Sequence, residues 1–264
     1  TAGADLRTTA FLQPAKAFLA RAGLWDRLAP SATALQIMRI ADISGDTDTP
    51  RITADFDAAD ISDQPFGWNL PNWLLRREMV DRLNELPNVD FRTGTGFKSM
   101  LPRETENLVQ LTDGTQVRCR LLIGADGRGS AVRQAAGIDA TTTRYGQKAV
   151  TFAVTHDAPH GNVSTEIHRS GGPFTLVPLA DEDGTHYSSV VWMEKGPDAA
   201  ELMAMDDETF TSAANARSCG ILGTLKLETR RMIWPIISRL ADRLDGPRTA
   251  LIAEAAHVIP PIGA

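Results

Sequence analysis

The stretch LLIGADGRGSAVRQAAGI, residues 121–138, brings a carboxylate to the end of an apolar run. Leu121, Leu122 and Ile123 read as a strand buried on both faces, which delivers Asp126 at its C-terminal end. Gly124, Gly127 and Gly129 let the backbone turn tightly and let a ligand come close. Ser130 is placed to cap a helix over 130–136, with Arg133 one turn in and Gly137 closing it. The Asp126 carboxylate then has two uses. It can accept hydrogen bonds from a ribose or ribityl hydroxyl, because ligands of α/β sheets sit at strand ends. It can instead cap the helix that follows. The residues alone leave both open. A second stretch, LIAEAAHVIPPIGA (251–264), joins an apolar run to Glu254 and His257, then to Pro260, Pro261, Ile262 and Gly263. A double proline followed by a glycine makes a loop that holds its shape.

Other chemistries find less support. There is no GxSxG nucleophile elbow. Cys119 and Cys219 lack metal-site spacing and read as buried, inert side chains. His156, His160, His168 and His186 form no recognisable ligand set, and Pro159 argues against a helix joining the first two, so no metal is expected. Taken alone, Arg7 either pairs with Asp5 or is solvated, Asn72 is a helix-terminal polar residue, and His257 is a half-buried histidine. Arg76 and Arg77 are expected to face solvent or a nearby acid. Trp68, Trp73, Trp192 and Trp234 can line an apolar pocket but read as ordinary core.

The elements that must position these groups follow from periodicity. Phe11, Ala15, Phe18, Leu19 and Ala22 have helical spacing, with Thr8 or Thr9 as cap and Gly23 as stop. Residues 34–44 read as a strand and 45–50 as a turn. Leu74, Leu75, Met79, Leu83 and Leu86 form the stripe of a helix over 71–86, with Pro71 in its first turn and Asn72 at its start. Two strand-like runs flank Asp113-Gly114, a hairpin signal. From Tyr145 to Trp192 four strand-like runs alternate with Pro, Gly and Asp turns, as in an antiparallel sheet. Residues 198–218 look helical and polar, and RTALIAEAAH returns to a buried-strand pattern. The expected class is α/β (α+β): buried strands ending in Gly/Asp turns, as in α/β nucleotide-binding folds, interrupted by an antiparallel sheet domain.

Composition bounds the partners. The 264 residues carry a net charge of −6, with 42% hydrophobic and 23% charged residues, as in an ordinary globular protein. That charge, without a Lys/Arg cluster, excludes nucleic acid as an expected partner. No apolar run approaches the ~20 residues of a membrane span. A reducing cytosol is the simplest compartment for two lone cysteines.

GADGRGSAVRQAAGI resembles the Asp-Gly motif of the flavin-dependent aromatic hydroxylases, the p-hydroxybenzoate hydroxylase superfamily. AEAAHVIPPIGA resembles that superfamily's second flavin motif, usually Gly-Asp-Ala-Ala-His before a Pro-Pro-x-Gly loop. DLRTTAFL resembles a third element, an arginine that reaches the cofactor. RYGQKAVTFAVTHDAPHGNVSTEIHRSGGPFTLVPL is similar to the substrate-domain sheet of the ubiquinone-biosynthesis hydroxylases, and the likeness covers nearly the whole chain. The resemblance implies FAD bound through Arg7, Asn72, Asp126, Gly127, Glu254, His257, Pro260, Pro261 and Gly263, and no side-chain nucleophile. It implies a Pro-Pro-x-Gly loop against the flavin, where backbone N–H groups face its electron-rich side. It also implies NAD(P)H as reductant, a flavin hydroperoxide as oxidant, and a phenolic substrate, prenylated in the ubiquinone pathway. By resemblance, residues 1–34, 69–143 and 239–264 make an incomplete Rossmann-like FAD-binding domain, and 35–68 and 144–238 the inserted antiparallel substrate domain. Peripheral association with the inner membrane surface, or with a ubiquinone-biosynthesis complex, fits such a substrate. Three departures stand out. No GxGxxG follows a strand, Glu254 replaces the usual Asp, and the chain stops where the family's next helix begins. The expected reading is the middle of a longer enzyme. The rival readings are a non-catalytic accessory protein on the same fold and a hydroxylase of soluble phenols.

Overall fold

The computed structural model describes residues 5–43, 50–169 and 171–260. The expected turn at 45–50 lies outside them except for Pro50. The fold is mixed α+β. The chain divides into two compact units, one of Thr1–Val89, Gly146–Pro235 and Gly263–Ala264, the other of Asp90–Tyr145 and Ile236–Ile262.

The first unit is organised by a large sheet. Gln147–His156, within the strand Ala140–His156, pairs antiparallel with His186–Lys195. That strand pairs with Gly172–Pro178, and this one with Val163–Arg169. All four runs of alternating β-branched and aromatic residues are therefore strands of one sheet, as their turn spacing implies. The strand Ile37–Asp42 then joins Val163–Arg169 in parallel, and Ile52–Asp57 closes the edge antiparallel. The polar stretch 198–218 is two helices, Gly196–Ala204 and Asp207–Ser218. Asp206 breaks the run because its carboxylate accepts the Thr209 N–H and caps the second helix. These helices bury Leu202, Phe210 and Ala214 against Phe152, Phe174 and Trp192 of the sheet. Phe152 meets Phe210 edge to face at 4.9 Å.

A smaller sheet in the same unit has the order Thr8–Leu12, Gly67–Pro71, Thr33–Leu35. Here the sequence expectation is overturned. Thr8 and Thr9 do not cap a helix; they pair with Pro71 and Leu70 in a strand. The helix starts only at Gln13, and Pro14 in its first turn fixes that start. β-Branched threonines that find a backbone partner prefer the ladder to the cap. Gln36 divides the expected 34–44 strand in two, because its N–H goes to Asn162 O and its C=O accepts from Ala58. The helix Asn72–Glu85 forms as its stripe implies, with Pro71 just outside it. Residues 5–34 and 69–89 share this unit with the large sheet, and the buried Asn69 Nδ2 donates to Pro178 O at 2.9 Å.

The second unit holds the hairpin Asn107–Leu111/Gln116–Cys119, whose turn is fixed by Asp113 accepting from Thr115 N. Gly114 sits there at φ +89°. The strands Leu122–Gly124 and Thr249–Leu251 run parallel. The buried-strand reading of RTALIAEAAH therefore covers three residues. Val132, Ile138, Leu251 and Ala256 form the unit's core. The run Leu121–Ile123 departs from expectation, being exposed at Leu121 (54%) and Ile123 (53%). The helix Ala131–Ala135 packs on one face of this strand pair, and those two side chains stay about half exposed. Both cysteines are half-buried, and burial pushes the Cys119 thiol up, away from the reactive thiolate.

Candidate cofactor site

The expected site residues fall into two groups, one in each unit. In the first, Arg7 precedes the strand Thr8–Leu12 and Asn72 opens the helix Asn72–Glu85. The strand pairing brings them together: Asn72 N donates to Arg7 O at 2.9 Å. Asp5 ties both side chains. Its oxygens accept from Arg7 Nε at 2.9 Å and Nη2 at 2.8 Å, and from Asn72 Nδ2 at 3.3 Å. Thr9 Oγ1 donates to Asn72 Oδ1 at 2.6 Å. The Arg7 guanidinium also lies over the Trp234 ring, 4.0 Å from its centroid. The Arg7 hydrogen bonds, opposed by partial burial, hold the Asp5 carboxyl down from its ordinary 3.8 to about 2. Asp5 is therefore ionised at any working pH, and the Arg7 fork is pre-set. Of the two readings of Arg7 taken alone, an Asp5 pair or a solvated side chain, the structure shows the pair; Trp234, read as core, is half-buried and a partner of Arg7.

In the second unit, Asp126 follows the strand Leu122–Gly124, and its carboxylate does cap the next helix. Oδ1 accepts from Ser130 Oγ at 2.5 Å and Oδ2 from Val132 N at 3.1 Å. Burial pushes its pKa up, but these bonds outweigh it, so Asp126 titrates below the ordinary carboxylate range. The residue is exposed. Gly127 has φ +83°, and a Cβ built there or on Gly129 meets nothing within 4 Å. The backbone of this turn is open to close approach. Arg133, buried, donates to Ala255 O at 2.8 Å and to Arg128 O at 3.2 Å, so it pins the Asp126 turn to the 253–257 segment. Burial first, then the nearby positive charge of Arg239, lowers its pKa against the pull of Asp126.

Glu254 is exposed on the one-turn helix Ala253–Ala256, and His257, also exposed, pairs in register with Leu240. Pro260 is the last described residue; Pro261 and Gly263 lie outside the described residues. Ala253 was not singled out from sequence, yet its φ is +51°. A left-handed alanine costs about 1–2 kcal/mol, and it stands where the related motif usually has glycine, which was the available signal. Ala253→Gly is expected to raise stability by about 0.5–1 kcal/mol, net of the added unfolded-chain entropy, read as a higher thermal midpoint. A lower midpoint would show that the turn carries no strain.

Each unit by itself offers groups that suit part of a flavin dinucleotide. In the first, a fixed guanidinium suits phosphate; in the second, an exposed carboxylate suits hydroxyls and an open glycine turn admits a ligand close to backbone. Comparison with known proteins gives the same direction. The family described as "FAD binding domain" matches residues 14–264. Ubiquinone hydroxylase UbiL of Rhodospirillum rubrum is 30% identical over 262 residues, covering 99% of this chain and 58% of that protein. The mouse mitochondrial ubiquinone biosynthesis monooxygenase COQ6 is 33% identical over 189 residues, 58% of this chain and 39% of that protein. The chain thus spans little more than half the length of UbiL. Among solved structures, Pseudomonas aeruginosa PqsL in complex with 2-aminobenzoylacetate aligns with a TM-score of 0.77 at 20% identity, over 98% of this chain and 70% of that one. The p-nitrophenol 4-monooxygenase PnpA of Pseudomonas putida aligns with a TM-score of 0.74 at 20% identity, over 97% and 64%. At such identity these two show a shared fold.

Proposed function

Because this chain belongs to the FAD binding domain family, we propose that it forms the central part of an FAD-dependent monooxygenase that hydroxylates a phenolic ring in ubiquinone biosynthesis. The observation that carries this reading is the similarity to UbiL along 99% of the chain. NAD(P)H is the proposed reductant. Bound and reduced, FAD supplies oxygen activation and transfer of one oxygen atom to the ring. The protein's own residues bind, orient and exclude water. Arg7, steadied by Asp5, offers N–H donors to a phosphate oxygen, and Asn72 sets the start of the neighbouring helix. Asp126 accepts hydroxyl hydrogen bonds while it holds the turn that presents the Gly127 backbone. Glu254, His257 and Pro260 are the further groups that would contact the flavin, together with Pro261 and Gly263 of the same motif, which lie outside the described residues. Glu254 keeps the charge of the family's Asp with one more methylene.

In this reading residues 1–34, 69–143 and 239–264 serve the cofactor, and 35–68 and 144–238 form the wall over the substrate. The sheet strand Gly172–Pro178 supplies a rigid base for that wall, because most of its residues are buried. A prenylated phenol reaches such a site from a membrane surface. Among the described residues no helix is long and apolar enough to cross a membrane. Peripheral contact, or membership of a ubiquinone-biosynthesis complex, is the proposed route.

Turnover tests the reading. The protein is expressed with its flanking coding sequence and supplied with FAD, NAD(P)H and isotopically labelled dioxygen. Prenylated and unprenylated phenols are then compared by mass spectrometry. One labelled oxygen in the prenylated product is the expected result. Labelling of unprenylated phenols alone would replace the substrate class, and no labelled product from any phenol would overturn the activity.

A further inference from the structure

We propose that Trp234 is a positioning residue for Arg7, an inference that rests on the reading of Arg7 as a cofactor-contacting group. A guanidinium has an N–H edge and a flat face, and this one is gripped on both. Asp5 takes Nε and Nη2 on the edge, at 2.9 and 2.8 Å. The Trp234 ring takes the face, with the guanidinium carbon 4.0 Å from its centroid. The face contact uses the ring quadrupole and consumes no N–H donor, so it orients the charge without spending the groups a phosphate needs.

The ring is itself held. Trp234 Nε1 donates to Thr151 Oγ1 at 3.0 Å, which fixes it to the strand Ala140–His156 of the large sheet. Arg7 therefore stands between a carboxylate from its own segment and an aromatic shelf from a distant one. An arginine left loose gives up side-chain entropy when it binds, and one already clamped gives up less. Tryptophan is the best aromatic for this contact. The half-buried setting of the ring reduces competition from water for the cation.

The test is an equilibrium FAD titration, followed by visible absorption, on the purified protein with its flanking sequence. The variants are Trp234→Leu, Trp234→Phe, Arg7→Ala and the Arg7→Ala/Trp234→Leu double. Trp234→Leu is expected to weaken FAD binding about tenfold, and Trp234→Phe, which keeps a ring face, to restore most of that. In the Arg7→Ala background the leucine change is expected to cost nothing further, because Trp234 acts through Arg7. A merely structural role would cost the same factor in both backgrounds. Should Trp234→Leu fail to fold, Thr151→Val reads the same claim by freeing the ring: weaker binding with Arg7 present, no change without it. The failures are distinguishable. If the unmodified protein takes up no FAD, the functional reading falls. If Arg7→Ala binds as tightly as the unmodified protein, the role of Arg7 falls, and this inference with it. If Arg7→Ala weakens binding and neither Trp234→Leu nor Thr151→Val does, this inference alone falls.

Discussion

Arg7→Ala lowers FAD affinity about 100-fold, the equivalent of one or two charge-assisted hydrogen bonds at about 1.5–3 kcal/mol each. Two effects add. The variant loses the donors offered to the phosphate, and it leaves the Asp5 carboxylate without the partner that holds its pKa at about 2. That uncovered negative charge then repels the same phosphate. The additional substitution Asp5→Asn is therefore expected to recover part of the loss. Arg7→Lys is not expected to restore binding, because an ammonium cannot both engage Asp5 through a fork and lie flat on Trp234. The check is the FAD titration with circular dichroism as a folding control. An Arg7→Ala protein that folds and binds FAD unchanged would remove Arg7 from the site.

Gly124→Val destabilises the second unit by about 1–3 kcal/mol and weakens FAD binding with it. Gly124 is buried, and an ideal Cβ there lies 2.9 Å from Leu251 Cδ2 and 2.9 Å from Val132 Cγ1. Neither neighbour can retreat easily: Leu251 is its parallel-strand partner and Val132 belongs to the helix packed on that pair. The Gly124 carbonyl also accepts from Ile252 N at 3.0 Å. Pushing the strands apart thus shifts the Asp126 turn and the Ala253 turn together. Gly124→Ala is expected to show a smaller drop in the same direction. Thermal midpoints of the two variants measure the effect; an unchanged midpoint for the valine would show that the strand and helix are not in close contact.

Much of this was legible because the signals were local. Asp113-Gly114 specifies its hairpin within four residues, and Ser130 with Gly137 brackets the short helix between them. The stripe of Leu74, Leu75, Met79 and Leu83 needs no partner to read as a helix. The strand runs of the large sheet carry turns at each end, so their existence was legible although the parallel entry of Ile37–Asp42 was not. What failed was long-range. Thr8 and Thr9 look like caps until the strand Gly67–Pro71 arrives beside them. Leu121 and Ile123 promised burial on both faces, but apolar type fixes what a residue prefers, not what stands against it. Trp234 meets Arg7 only through the sheet, and no spacing rule links them. The positive φ of Ala253 had a sequence signal, the glycine usual at that place in related motifs.

The central claim, that this chain belongs to a protein that holds FAD, is tested most directly by one spectrum. The protein, expressed with its flanking sequence and purified, is recorded in the visible range before and after incubation with FAD and gel filtration. Flavin bands that co-elute with the folded protein are the predicted result. A folded protein that stays colourless and retains no added FAD would contradict the account and favour an accessory protein built on the same fold.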